Sequence, residues 1–259
     1  MGKKPPFIQK MLSGEICLGT VITFTDPTVT EALSANLDFV WIDMEHNPLS
    51  LEAVQGHIMA TKGSLATPLV RVPWNDPVLI KPVLDIGAAG IIVPMVRSAE
   101  QARRAVEACL YPPLGIRGFG PRRPSNYGRM GGPEFCNSTN ESMIVIPQLE
   151  HIDAARDIDA IVSVPGVSAV TVGPNDLSGT MGLMGQARHP EVIAAIEAII
   201  QGARRANVPV GVGIGCDFQD ARMWLEKGAQ WLALASDVVL MTQATDQLVG
   251  RMRSQIPRA

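Results

Sequence analysis

The chain has 259 residues, 46% of them hydrophobic and 18% charged, which supplies a sizeable core and excludes a mainly disordered protein. Twenty-two Lys and Arg against 25 Asp and Glu leave a formal net charge of −3, so no general electrostatic surface for nucleic acid or an anionic membrane is expected. No apolar run approaches the ~18 residues of a membrane span, and the N-terminal MGKKPPFIQKMLSGE lacks the apolar stretch of a secretory signal. The four cysteines, Cys17, Cys109, Cys136 and Cys216, show no CxxC pair, which fits reduced thiols in a cytoplasmic protein and gives no zinc or redox motif.

Short apolar, β-branched runs alternate with helical periods along the whole chain. Strands are predicted over 16–23, 38–43, 67–72, 90–94, 143–149, 168–173, 209–214 and 231–235. They are nearly continuous apolar runs, as expected of parallel strands covered on both faces. Ser50 caps a helix that stops before Gly63. Asp76-Pro77 opens one over 77–86 that contains Pro82, and Ser98 to Gln101 forms a capping box before ARRAVEACL. Further helices are predicted over 151–162, 190–206, 218–227 and about 238–253. Eight strands each followed by a helix predict a (β/α)8 TIM barrel, one domain over 1–259, rather than a doubly wound open sheet. Two connections are unusually long, 111–142 and the one containing PNDLSGTMGLMGQARH, and both are expected on the active face.

In such a barrel the chemistry sits at the C-terminal ends of the strands. The second strand ends in Asp43, Glu45 and His46, the third in Arg71, and the fifth in Gln148 and Glu150. The sixth ends in Gly173, Pro174, Asn175 and Asp176, and the eighth in Ser236-Asp237. Glu150 and Asp176, from adjacent strand ends, suit a hard divalent cation such as Mg²⁺ or Mn²⁺. Arg71 ends an apolar strand and needs an anionic partner, either a substrate oxygen or Asp43 or Glu45. His46 is placed for acid–base or charge-stabilising work. The 173–176 turn offers backbone N–H groups to a carboxylate. Arg117, Arg122, Arg123 and Arg129 form either an electropositive rim or a solvated or subunit-contact loop. The six lysines, Lys3, Lys4, Lys10, Lys62, Lys81 and Lys227, end no strand, which argues against Schiff-base chemistry. The GxGxG of Gly211 to Gly215 reads as close packing at a barrel end, and no phosphate-binding motif is present.

The stretches FVWIDMEHNPLS, LVRVPWND, GIIVPMVRSAEQARRAV, YPPLGIRGFG, IPQLEH, VTVGPNDLSGTMG and LALASDVVLM, in this order from 39 to 241, resemble the HpcH/HpaI family of metal-dependent class II pyruvate aldolases. The resemblance implies reversible cleavage of a 4-hydroxy-2-oxo acid to pyruvate and an aldehyde through a metal-stabilised enolate, with Mg²⁺, Mn²⁺ or Co²⁺. It implies a homotrimer or homohexamer. By position it implies Glu150 and Asp176 as metal ligands and Arg71 on the keto and enolate oxygen. His46 and Asp85 become a dyad, Gln148 a substrate or metal-shell contact, and the backbone at Asn175 and Asp176 the carboxylate site. Asp85 ends a helix running toward the bottom of the barrel, so its dyad partner would come from a neighbouring subunit. One departure is the first strand, LGTVITF, where some relatives carry an aromatic residue and this chain has Thr20 and Thr23. Rival readings are oxaloacetate decarboxylation, or macrophomate synthase-like chemistry, through the same enolate, and a non-catalytic barrel that binds an acidic metabolite.

Overall fold

The computed structural model describes residues 5–256; Lys3, Lys4 and the first residues of the N-terminal segment lie outside the described residues. In chain order the elements are α1 (Pro6–Leu12), β1 (Cys17–Ile22), α2 (Thr28–Ser34), β2 (Phe39–Asp43), α3 (Leu51–Ala60), β3 (Thr67–Arg71), α4 (Pro77–Asp85), β4 (Gly90–Val93), α5 (Ala99–Cys109) and α6 (Gly132–Ser142). They continue with β5 (Ile144–Leu149), α7 (Ile152–Arg156), α8 (Ile158–Val162), β6 (Val170–Val172), α9 (Pro174–Thr180), α10 (Pro190–Arg205), β7 (Val210–Ile214), α11 (Phe218–Glu226), β8 (Trp231–Ser236) and α12 (Asp237–Gln255). The eight strands are all parallel and close in sequence order, β8 pairing with β1, which is the expected (β/α)8 barrel.

The apolar runs are buried on both faces for the reason their composition gave. Outward residues such as Val40, Ile42, Val70 and Ile91 pack beneath the helices. Inward residues Phe39, Trp41, Leu69, Ile92, Ile144, Ile146 and Trp231 fill the barrel. Helix α1 plugs the bottom: Phe7 meets Phe39 and Trp231 edge-on at 5.1 and 5.4 Å. Of the GxGxG read as close packing, only Gly211 is so packed, since a Cβ there would overlap the Trp231 ring; Gly213 and Gly215 have room for a Cβ and line the upper cavity. Ser50, Asp76 and Ser98 cap their helices as predicted, each accepting a backbone N–H of the first turn.

Two expectations are corrected. The helix predicted over 151–162 is two, α7 and α8, broken at Asp157, whose carboxylate accepts the Ala99 N–H at 2.8 Å. The segment 111–142 is not on the active face. Helix α5 carries the chain back down the barrel, so the segment forms at the end where β5 begins. There Arg122 N–H meets the Asp85 carbonyl, and Arg123 reaches the Ile86 carbonyl at 3.4 Å. Arg117 is turned inward: it is 3% exposed, pairs with Asp85 at 3.1 Å and lies 4.5 Å over the Tyr111 ring. All four cysteines are free. Burial pushes the Cys17 and Cys109 thiols up to about 12, which keeps both unreactive.

Candidate active site

The β2–β3 register sets Asp43 beside Arg71 at the upper ends of two adjacent strands. Both are buried, and Arg71 Nε donates to Asp43 Oδ1 at 2.7 Å. The rest of the guanidinium is shared: Nη1 lies 2.8 Å from Glu45 Oε2 and donates to Gln148 Oε1 at 3.5 Å, and the carbon sits 5.2 Å over the Trp41 ring. The ion pair with Asp43 or Glu45 that the sequence left open is therefore made with both. Burial opposes the charge of Arg71, yet the Asp43 hydrogen bond and the carboxylates of Asp43, Glu45 and Glu150 raise its pKa above the ordinary value. Glu45 Oε2 has the contact but not hydrogen-bond alignment, so this buried oxygen keeps unused acceptor capacity.

Gln148 and Glu150, two apart at the end of β5, do point to one side: Gln148 Nε2 donates to Glu150 Oε2 at 2.5 Å. The other Glu150 oxygen accepts the N–H of Met95 at 2.8 Å. Met95 holds a left-handed φ of 55° just past β4, a conformation costly for a residue with a side chain. Burial pushes the Glu150 carboxyl up to about 7; the neighbouring carboxylates of Glu45 and Asp176 add to the rise, against the Met95 N–H and Arg71. Glu45 is also raised, first by burial.

A single cavity of about 770 Å³ opens above these residues. It brings together Asp43, His46, Arg71, Gln148 and the turn Gly173 to Asp176. His46 is exposed, with Nε2 3.6 Å from Glu45 Oε2. Gly173 precedes α9, whose first turn has N–H groups without intrahelical acceptors. Asp85 is not among the lining residues. Paired with Arg117 at the opposite end of the barrel, it is not brought to His46 within one chain.

Two contributors carry no mark in the sequence. Trp41 beneath Arg71 carries only the alternation of a buried strand, and nothing in sequence marks Met95. Of the two threonines in the first strand, Thr23 lines the cavity, whereas Thr20 is buried and donates to the Leu234 carbonyl. Asp237, at 3% exposure, accepts from Thr23 N–H, Thr23 Oγ1, Phe24 N–H and Val238 N–H, and so ties the end of β1 to the end of β8.

Among the described residues no group of three or more His, Cys, Asp and Glu side chains is arranged to hold a metal ion. The donor set nevertheless fits a hard divalent cation. Glu150 and Asp176 are oxygen donors close enough to raise the Glu150 pKa, in a carboxylate cluster whose guanidinium is already engaged by Asp43 and Glu45. A cation that retains several waters needs only one or two such carboxylates.

The sequence model described as HpcH/HpaI aldolase/citrate lyase matches residues 23–244. The chain is 40% identical over 223 residues, 85% of its length and 84% of the relative's, to a 4-hydroxy-2-oxo-heptane-1,7-dioate aldolase of Shigella sonnei (strain Ss046). It is 38% identical over 255 residues, 97% and 94% of the two chains, to a hydroxypyruvate/pyruvate aldolase of Pseudomonas aeruginosa. The fold matches the crystal structure of an HpcH/HpaI aldolase/citrate lyase family protein from Burkholderia cenocepacia J2315 with a TM-score of 0.91 at 29% identity, covering 96% of this chain and 100% of that one.

Proposed function

Since this chain belongs to the HpcH/HpaI aldolase/citrate lyase family and is an aldolase-type lyase, we propose that its cavity reversibly cleaves a 4-hydroxy-2-oxo acid to pyruvate and an aldehyde. The observation that carries this reading is Arg71, a buried guanidinium at a strand end, beside the Glu45, Glu150 and Asp176 carboxylates. In the cleavage direction the 4-hydroxyl loses its proton, the C3–C4 bond breaks, and its electron pair passes into the 2-oxo group as an enolate. The aldehyde leaves, and C3 takes up a proton to give pyruvate.

Arg71 binds the oxygen on which that negative charge develops, held in aim by Asp43, Glu45 and Trp41 before substrate arrives. The N–H groups of Asn175 and Asp176 receive the 1-carboxylate, and Gln148 fixes Glu150. His46, exposed at the cavity wall, moves the proton at the 4-hydroxyl. A divalent cation such as Mg²⁺, Mn²⁺ or Co²⁺, held by Glu150 and Asp176, would supply Lewis-acid stabilisation of the same developing charge. A His46–Asp85 dyad requires a second copy of the chain, because α4 carries Asp85 to the other end of its own barrel; a homotrimer or homohexamer would provide it. Free thiols suit a cytoplasmic setting.

The test is pyruvate release from a panel of 4-hydroxy-2-oxo acids and oxaloacetate. Activity lost in EDTA and restored by Mg²⁺, Mn²⁺ or Co²⁺ is expected. Covalent trapping of pyruvate by borohydride would overturn the reading, since Schiff-base chemistry needs a lysine that no strand end offers.

A further inference from the structure

The cavity has a second charged corner that the chemistry above does not use. Ala187 and Arg188, between α9 and α10, line it together with Asp220 in the first turn of α11. Arg188 Nη2 donates both to Asp217 Oδ2 at 2.5 Å and to Asp220 Oδ2 at 2.7 Å. Asp217 is itself fixed, its Oδ1 capping α11 through the N–H groups of Gln219 and Asp220. One nitrogen thus carries both anchors, which leaves Nε and Nη1 as donors on an oriented guanidinium whose side chain is 66% exposed. In the closed order of eight strands, β7, which leads into this corner, stands across the barrel from β3, which carries Arg71. The cavity that Arg71, His46 and the 173–176 turn line thus continues to Arg188, so a leaving half that reaches beyond the reacting carbons has this charged wall to meet.

The charge count decides what that half can be. Among the described residues the cavity is lined by the carboxylates of Asp43, Asp176 and Asp220 against the guanidinium groups of Arg71 and Arg188, with His46. Arg71 is committed to the pyruvate end, and Arg188 faces two carboxylates of its own, so the corner carries net negative charge. A distal carboxylate would meet no uncompensated cation there and would lie close to Asp217 and Asp220. A hydroxyl gains on both sides, accepting from Arg188 and donating to Asp220.

Resting on the aldolase reading, we infer that the Arg188–Asp217–Asp220 cluster is the specificity site for the aldehyde half, and that it selects a neutral, hydroxyl-bearing aldehyde over one ending in a carboxylate.

The experiment measures kcat/KM for pyruvate addition to three aldehydes that share the chain OHC–CH₂–CH₂– and end in OH, CH₃ or COO⁻: 3-hydroxypropanal, butanal and succinic semialdehyde. Wild-type protein should favour the hydroxyl acceptor over both others. Arg188→Met should lower the hydroxyl-to-methyl ratio about tenfold, the worth of one hydrogen bond to a charged group. Asp220→Asn, nearly isosteric, uncovers part of the Arg188 charge and should raise the carboxylate-to-hydroxyl ratio about tenfold by the same measure. A wild-type preference for succinic semialdehyde that Arg188→Met removes would overturn the inference, as would equal losses for all three acceptors in both variants. Exchange of the pyruvate methyl protons with D₂O, read by NMR on wild-type protein with no aldehyde present, separates the two levels. Without exchange the aldolase reading falls and the inference with it; with exchange and equal losses, the inference alone falls.

Discussion

Gly173 stands against Glu150 so closely that a Cβ at position 173 would lie 2.5 Å from Glu150 Oε2 and 3.1 Å from Gln148 Nε2. The glycine is there to leave room for a carboxylate, since its φ of −99° is open to any residue. The turn after β6 and the acid after β5 thus share one space, and neither can shift without the other.

Gly173→Ala should displace the Glu150 carboxylate while leaving the barrel core intact. A displacement of about 1 Å in such a site costs roughly 10²-fold in rate. We expect kcat to fall by about that factor and the half-activating concentration of Mg²⁺ or Mn²⁺ to rise, with a change in Tm of only a few degrees. Unchanged metal dependence would show that Glu150 tolerates the methyl group and is not a ligand.

Arg71→Lys keeps a positive charge but cannot reach Asp43, Glu45 and Gln148 together. Turnover should fall by ~10²–10³, the effect of removing one oxyanion donor. Circular dichroism and Tm should remain close to wild type. Near-normal turnover would reduce Arg71 to a structural ion-pair residue.

Arg117 belongs to stability. Arg117→Met removes a buried guanidinium from Asp85 and the Tyr111 ring and should cost about 2–3 kcal/mol in urea unfolding; Asp85 retains some water, which keeps the loss below that of a fully buried pair. Arg122→Ala with Arg123→Ala, at the same end of the barrel, should alter kcat/KM for charged and neutral acceptors equally. A selective loss for the charged acceptor would show that these arginines reach a substrate.

His57 gives the fold a pH dependence of its own. The ring is fully buried, with Nδ1 accepting from the Thr30 hydroxyl at 2.8 Å and Nε2 donating to the Phe24 carbonyl at 2.9 Å. Burial holds its pKa below the ordinary 6.5, although the Phe24 carbonyl and the carboxylates of Asp237 and Asp26 oppose the shift. The unfolded chain therefore takes up the proton first. Stability is full above about pH 6.5 and declines as the pH falls through that value toward the lower folded pKa. Urea midpoints at pH 7.5 and 5.5 should differ more for wild type than for His57→Gln, which has no proton to take up. Equal differences would mean that another group carries the dependence.

Sequence alone determined the barrel, because a strand buried on both faces must be apolar throughout and its composition reports that burial directly. It also determined which residues reach the upper rim, since in a parallel barrel every strand ends on the same side; the ends at Asp43, Arg71, Gln148 and Asp176 are all found at one cavity. The seven-residue α1 plug is not legible in the sequence because its proline-led, short segment has no helical period of its own, and its burial comes from Phe39 and Trp231 far along the chain.

What only the tertiary structure decided is which charges meet. Four arginines within 117–129 look alike in sequence, yet one is buried on Tyr111 and the others stay at the lower end, because α5 returns the chain there before the segment begins. Arg188 sits in an equally polar loop and lies at the cavity because β6 ends upward. Its partners, 29 and 32 residues away, follow a different strand. Burial is encoded locally by hydrophobicity, whereas the partner of a charged side chain depends on which end of the barrel its loop emerges from and which neighbouring loop crosses it, and neither is written in the residues beside it.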